Sequence, residues 1–330
     1  MISGQGGSVS YATPVPETEL EPLLLAPSGP SVVAIGGGHG LAAALEAVQL
    51  YAGKVTAIVS VADDGGSSGR LIETLSMPAP GDIRRCLLAL TPEPSLVSEL
   101  FAYRFDAGDV SDHSLGNLML AALNDIYGDF DAAVSAAGRM LGAIGEVVPV
   151  ATVPTGIRAM IDGQAVEGQV SIARARGEIE TFELVPPGLS PNPRALEAIV
   201  SADQIILGPG SLFTSLIATL LVPGIAETVL RSKARRVFVA NLVTQDGETW
   251  ELDGAGHLDA LSRFGGVDGP GMVVAHDGPL DVPPGLKRVT FDADAIGMWG
   301  IHLADVAAPT SDWPAHDPFA LAQVLEALMG

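Results

Sequence analysis

Residues 32-VVAIGGGHGLAAAL-45 decide the fold class. The apolar opening suits a strand buried on both faces, and the alanine- and leucine-rich close suits a helix. Between them stands Gly36-Gly37-Gly38-His39-Gly40. A strand, a glycine turn and a helix in that order open a parallel α/β sheet. Gly38 to Ala43 also fits G-x-G-x-x-A. Glycines let a backbone approach a phosphate, and a helix N-terminus offers free N–H donors and a partial positive charge. The same local sequence also serves a tight turn with no ligand, and His39 reads either as a ligand contact or as a polar loop residue.

Outward from this unit, apolar β-branched runs alternate with helical patterns. The predicted strands cover 31–36, 55–61, 147–150, 166–172, 204–207, 236–240, 271–276 and 288–292. The predicted helices cover 40–51, 82–90, 95–105, 115–127, 130–141, 194–201, 211–220, 225–231, 257–264 and 318–328. The expected fold is α/β, a Rossmann-like, doubly wound, mostly parallel sheet. A helical insertion at about 82–142 follows the second strand, and a small antiparallel excursion runs over 165–184. Residues 28–330 read as a single composite domain behind a disordered tail at 1–27.

Composition narrows the function classes. The chain has 330 residues, is 48% hydrophobic and carries a net charge of −22, with 17 basic against 39 acidic residues. Lys54, Lys233 and Lys287 are its three lysines, so tracking a nucleic-acid backbone is not expected. No apolar run of about 18 residues predicts a membrane span. The N-terminus lacks the basic start and apolar core of a signal peptide. A single cysteine, Cys86, excludes an internal disulfide and a multi-cysteine metal site, and reads as a small core hydrophobe. A cytoplasmic protein, plausibly a homodimer, is expected.

Four further stretches carry polar chemistry. The first is 61-VADDGGSSGR-70, which closes the second predicted strand. Asp63 or Asp64 could read an adenosine ribose, as in a dehydrogenase. Gly65, Gly66, Ser67, Ser68 and Arg70 beside them better suit phosphate contact, with Mg2+ held on the carboxylates. A turn and N-cap cluster is the plain alternative. In 80-PGDIRR-85, Asp82 reads as a helix cap or as a metal or substrate carboxylate. In 112-DHSLGN-117, His113, Ser114 and Asn117 sit at a helix start and could orient a hydroxyl or phosphate. In 205-IILGPGSLFTS-215, Gly208, Gly210, Ser211, Leu212 and Thr214 form a second strand–glycine–helix anion site. His257, His276, His302 and His316 occur singly and read as structural or solvent-facing.

In this order, GGGHG, VADDGGSSGR, PGDIRR, DHSLGN, the Pro191-Asn192-Pro193 turn, LGPGSLFTS and 241-NLVTQDGET-249 resemble the gluconeogenesis factor family (the UPF0052 group) over about residues 31–328. That family shares a superfamily with the 2-phospho-L-lactate transferases. The resemblance implies a Rossmann-like fold with a helical insertion and binding of UDP-sugars such as UDP-N-acetylglucosamine. It also implies a role in cell shape and cell-wall synthesis during gluconeogenic growth. It adds Asn192 to the ligand set and makes Asp63, Asp64 and Asp82 the counterparts of the transferases' metal carboxylates. The sequence departs from the family at His39, where many relatives have Thr. It departs again at 315-AHDP-318, which lacks the Arg and the phosphorylatable residue that some relatives carry.

The leading expectation is a nucleotide-sugar-binding regulator. The first loop would hold the diphosphate, the 63–70 loop the metal and phosphate oxygens, and the 208–215 loop a further polar group. A Mg2+-dependent transferase of the 2-phospho-L-lactate transferase type is the alternative, and an NAD-dependent dehydrogenase is the third reading.

Overall fold

The computed structural model describes residues 28–64, 77–92, 94–292, 297–309 and 313–330. The expectations for the 1–27 tail and for Gly65, Gly66, Ser67, Ser68 and Arg70 lie outside the described residues. In chain order the strands are β1 (Ser31–Gly36), β2 (Lys54–Val59), β3 (Glu146–Pro149), β4 (Gly156–Ile161), β5 (Gln164–Glu167), β6 (Ile179–Val185), β7 (Gln204–Leu207), β8 (Arg235–Val239), β9 (Gly271–His276) and β10 (Trp299–Ala304).

Seven strands form one parallel sheet in the order β10-β9-β8-β7-β1-β2-β3. Val32, Val33, Ala34 and Ile35 of β1 and Ile205, Ile206 and Leu207 of β7 are fully or almost fully buried. Such unbroken apolar strands require cover on both faces. Ile35 pairs with Ile58 on one side and Leu207 on the other. The order reverses between β1 and β7, and in an open α/β sheet the crevice at that reversal is where ligands bind.

Helix Gly38–Val48 leaves β1 and buries Leu41 and Leu45, each worth about 2–3 kcal/mol of burial. Among the described residues, four helices lie between β2 and β3: Gly81–Ala89, Leu96–Ala102, Leu115–Tyr127 and Phe130–Leu141. They form the expected helical insertion. Helix Gly81–Ala89 packs on helix Gly38–Val48, which brings Asp82 beneath the first glycine loop.

The small layer is antiparallel, in the order β5-β4-β6. The strand expected over 166–172 is corrected. Only Gln164–Glu167 is extended, and Gln169–Arg174 is a short helix. Gly168, at φ +92°, turns the chain, and the Asp64 carboxylate accepts the N–H groups of Gln169 (2.9 Å) and Val170 (3.0 Å). A helix start supplied with an acceptor outcompetes the β-branched propensity of Val166 and Val170. The strand expected over 288–292 is also absent. Arg288 makes one isolated bridge to Val243 and gives its guanidinium to the carbonyls of Gly278 and His276, so a loop is pinned instead. The edge strand β10 was not expected, because glycine and histidine interrupt its apolar run. Helix 211–220 opens as a π-helical segment, Leu212–Ile217, before Ala218–Leu220. Among the described residues no single helix is long and apolar enough to cross a membrane.

Candidate functional site

The two glycine loops leave β1 and β7 side by side at the reversal of strand order. Their backbones touch. A Cβ on Gly40 would stand 2.6 Å from Gly210 N and from the Pro209 carbonyl. Gly38 and Gly208 both lie at φ +71°, a region that favours glycine. Asn241, at the end of β8, bridges the second loop from both sides. Its Oδ1 accepts Gly210 N–H (2.9 Å), and its Nδ2 donates to the Gly210 carbonyl (2.7 Å).

A cleft of about 440 Å³ opens over these loops. Gly38, His39 and Gly40 of the first loop and Gly210, Ser211 and Ser215 of the second line it. Asp82 and Arg85 lie at the base, and Thr244, Gln245, Trp313 and His316 close the far side. The volume is within the range of small-molecule sites.

Asp82 is 4% exposed. It does not cap its helix, where Pro80 is the N-cap. Its carboxylate instead meets Arg85 Nη1 at 2.5 Å and accepts the Gly38 N–H. Burial pushes Asp82 up to about 6, against the opposing pull of Arg85, and the charge of Asp63 adds to the rise. Gly37 belongs to the same contact, because a Cβ there would fall 2.3 Å from Asp82 Oδ2. His39 stands exposed at the rim. Partial burial and then the charges of Arg85 and Arg84 lower its pKa, which leaves it neutral at pH 7.

Other expected residues lie away from the cleft wall. Ser114 caps helix Leu115–Tyr127 by accepting Asn117 N–H (3.3 Å). Asn117 Oδ1 accepts Arg84 Nε (3.2 Å), so the DHSLGN turn holds a buried arginine. His113 is buried in the same turn. Asn192 caps helix Pro193–Ser201 and donates to Asp131 Oδ1 (2.9 Å). Asp64 holds the short helix of the small layer, as described above. Leu212 and Thr214 are buried, and the first N–H groups of the π-helical segment already have an anion. Glu248 Oε2 accepts Thr214 N–H (3.2 Å), and the Leu212 and Phe213 N–H groups face the same carboxylate. The ligand side of the second loop is therefore Gly210 and Ser211.

Residues missed from sequence are Arg85, Ser215, Asn241, Thr244, Gln245, Trp313 and His316, all on the cleft wall. The run 241-NLVTQDGET-249 signalled three of them, since polar residues directly after a buried strand fall on the carboxyl edge of the sheet. His316 is a buried residue of the cleft lining. It is 8% exposed, its Nε2 has no hydrogen-bond partner, and burial lowers its pKa to about 4. His257 and His276 are structural, tied to the carbonyls of Asp253 and Pro279.

Among the described residues, no group of three or more His, Cys, Asp or Glu is placed to hold a metal. Asp63 and Asp82 nevertheless sense each other's charge beside the cleft. Two carboxylates completed by ligand phosphates are a donor set that Mg2+ accepts.

A family model described as 2-phospho-L-lactate transferase CofD matches residues 32–295. A Bacillus subtilis gluconeogenesis factor is 38% identical over 313 residues, 91% of this chain and 98% of that protein. A gluconeogenesis factor from Halalkalibacterium halodurans is 42% identical over 76% of this chain and 78% of its own length. A Nostoc relative is 45% identical over 79% of this chain, which spans only 59% of that protein's length. A crystal structure of a Bacillus halodurans protein of the UPF0052 family superposes with a TM-score of 0.85 at 36% identity, over 92% of this chain and 99% of the other.

Proposed function

The chain belongs to the gluconeogenesis factor family, within the CofD group, and on that premise we propose that its main cleft binds a nucleoside-diphosphate sugar of the UDP-N-acetylglucosamine type. One observation carries this reading. Two glycine loops meet at the switch point, and Gly40, Ser211 and Arg85 line one space there. Diphosphate oxygens match such donors, and the anion needs no other cation than Arg85 and a metal. Mg2+ would be held by Asp63 and Asp82 and would neutralise phosphate charge that the buried Asp82 otherwise repels. Trp313 and His316 on the far wall supply a ring face and an unpartnered ring nitrogen for the base or sugar.

The role that fits is regulatory: reporting nucleotide-sugar supply to cell-wall synthesis and cell shape under gluconeogenic growth. The test is isothermal titration of UDP-N-acetylglucosamine with and without Mg2+. A saturable heat that increases with Mg2+ is expected, and no heat in either condition ends the reading.

The family-model match favours a second reading, a phosphoryl-group transferase in the manner of 2-phospho-L-lactate transferase. Metal charge neutralisation and positioning carry such chemistry without a protein nucleophile. Release of GMP from a guanylylated phospholactate donor in the presence of the deazaflavin acceptor distinguishes it.

A further inference from the structure

A second cavity, of about 520 Å³, has Glu248 in its lining and shares no lining residue with the main cleft. It sits between β6, the helix Gly254–Arg263 and the start of the π-helical segment. Its interior is apolar: Ile179, Phe213, Trp250, Leu252 and Phe264. Phe213 packs edge-on against Phe264, at 5.4 Å between ring centroids. The rings already attract cations. Arg176 stands 4.8 Å over Trp250, and Arg263 stands 4.8 Å over Phe264.

The mouth is acidic. Asp162, Glu178, Glu251 and Asp259 ring it, and Glu248 is in its wall. Arg176 is committed to Asp246 (2.6 Å) and Glu251 to Lys287 (3.2 Å). Among the described residues Glu178 and Asp259 make no ion pair, so carboxylates outnumber the remaining cation, Arg263. Glu248 is 5% exposed, and its carboxylate takes the Leu212, Phe213 and Thr214 amides.

The main cleft has the opposite character, with Ser211 and Arg85 on its lining. We propose that the second cavity is a separate site for a small apolar amine. Its ring or alkyl body lies against Phe213, Trp250 and Phe264, and its ammonium group sits between Glu178 and Asp259 at the mouth. The site does not depend on the nucleotide-sugar reading. The two sites share one structural element. Glu248 holds the amides that follow Ser211, and Gln245 donates to Ser211 Oγ (3.4 Å).

The probes are 4-phenylbutylamine and its acidic counterpart 4-phenylbutyrate, followed through tryptophan emission of the full chain. The amine should give a saturable change that disappears in Trp250→Phe. The acid should bind roughly tenfold more weakly, as expected for exchanging an attractive for a repulsive charge in a half-enclosed site. Asp259→Lys changes an exposed side chain, so the protein should still fold and should titrate UDP-N-acetylglucosamine as before. It should weaken the amine about threefold or more. Equal binding of amine and acid, a response that never saturates, an unaltered response in Asp259→Lys, or displacement of the amine by UDP-N-acetylglucosamine would each overturn the proposal.

Discussion

Gly40 and Gly210 come from loops 170 residues apart in sequence, and their backbones touch so closely that neither could carry a larger residue at the contact. A Cβ on Gly40 would be 2.6 Å from Gly210 N, and one on Gly210 would be 2.9 Å from the Gly37 carbonyl. The atoms in the way belong to the backbone and cannot rotate aside. Gly40→Ala should therefore cost about 2–3 kcal/mol and push the two loops apart. Gly38→Ala is the comparison. Nothing lies within 4 Å of its Cβ, and its penalty comes only from φ +71°, about 1 kcal/mol. Urea denaturation of the two variants should rank them in that order. Titration of UDP-N-acetylglucosamine should be lost in Gly40→Ala.

The contact of Gly37 with Asp82 separates shape from charge. Gly37 has an extended backbone that any residue adopts, so Gly37→Ala acts only by colliding with Asp82 Oδ2 and Ser215 Oγ. Asp82→Asn keeps the shape and removes the charge. If Asp82 holds Mg2+, the Asn variant should bind UDP-N-acetylglucosamine equally with and without the ion. Its affinity without metal should exceed that of the wild type, because a buried repulsive carboxylate has gone. Calorimetry in the two buffers checks this, and a Mg2+ effect that survives in the variant would remove Asp82 from the metal site.

The parallel sheet was legible because its strands are short, apolar throughout and spaced by helices. The two glycine loops were legible because strand, glycine and helix occur in that order twice. The role of Asp64 was not. An aspartate beside a glycine-serine loop reads as a ligand, and only the fold shows Gln169 and Val170 presenting their N–H groups to it. Thr214 misled in the same way, since no local signal says that Glu248, 34 residues later, returns to occupy the helix start. Long-range pairing of buried polar groups leaves little trace in a sequence window, whereas periodicity and turn chemistry are local.

Arg84 shows how the DHSLGN turn works in the fold. It is 7% exposed, burial lowers its pKa to about 10, and Asn117 is its side-chain acceptor at Nε. Asn117→Ala strands part of a buried guanidinium, which should cost about 2–4 kcal/mol. Thermal unfolding should show a large drop, while titration at a temperature where the variant is folded should show a nucleotide-sugar affinity within about twofold of wild type. A large affinity loss with little change in stability would instead make Asn117 a ligand contact.

Glu248 and His316 pull stability in opposite directions with pH. Burial pushes Glu248 up to about 7 from an unfolded value of 4.5, so between those values the folded state holds the proton more tightly. Its contribution is full below about pH 4.5 and is lost as pH rises toward 7, a change on the order of 3 kcal/mol. His316 is buried neutral, at about 4 against 6.5 unfolded, so the unfolded chain takes up the proton first. Its contribution is full above about pH 6.5 and is lost as pH falls toward 4. Asp82, raised to about 6, acts with Glu248. The wild-type curve is therefore flatter than any single group's, and the variants separate them. Stability of wild type minus that of Glu248→Gln should fall from pH 5 to pH 7. Stability of wild type minus that of His316→Asn should rise over the same interval. Urea midpoints across that range measure both differences. A Glu248→Gln difference that stays constant with pH would show the carboxylate to be ionised throughout, held by the Leu212, Phe213 and Thr214 amides strongly enough to overcome its burial.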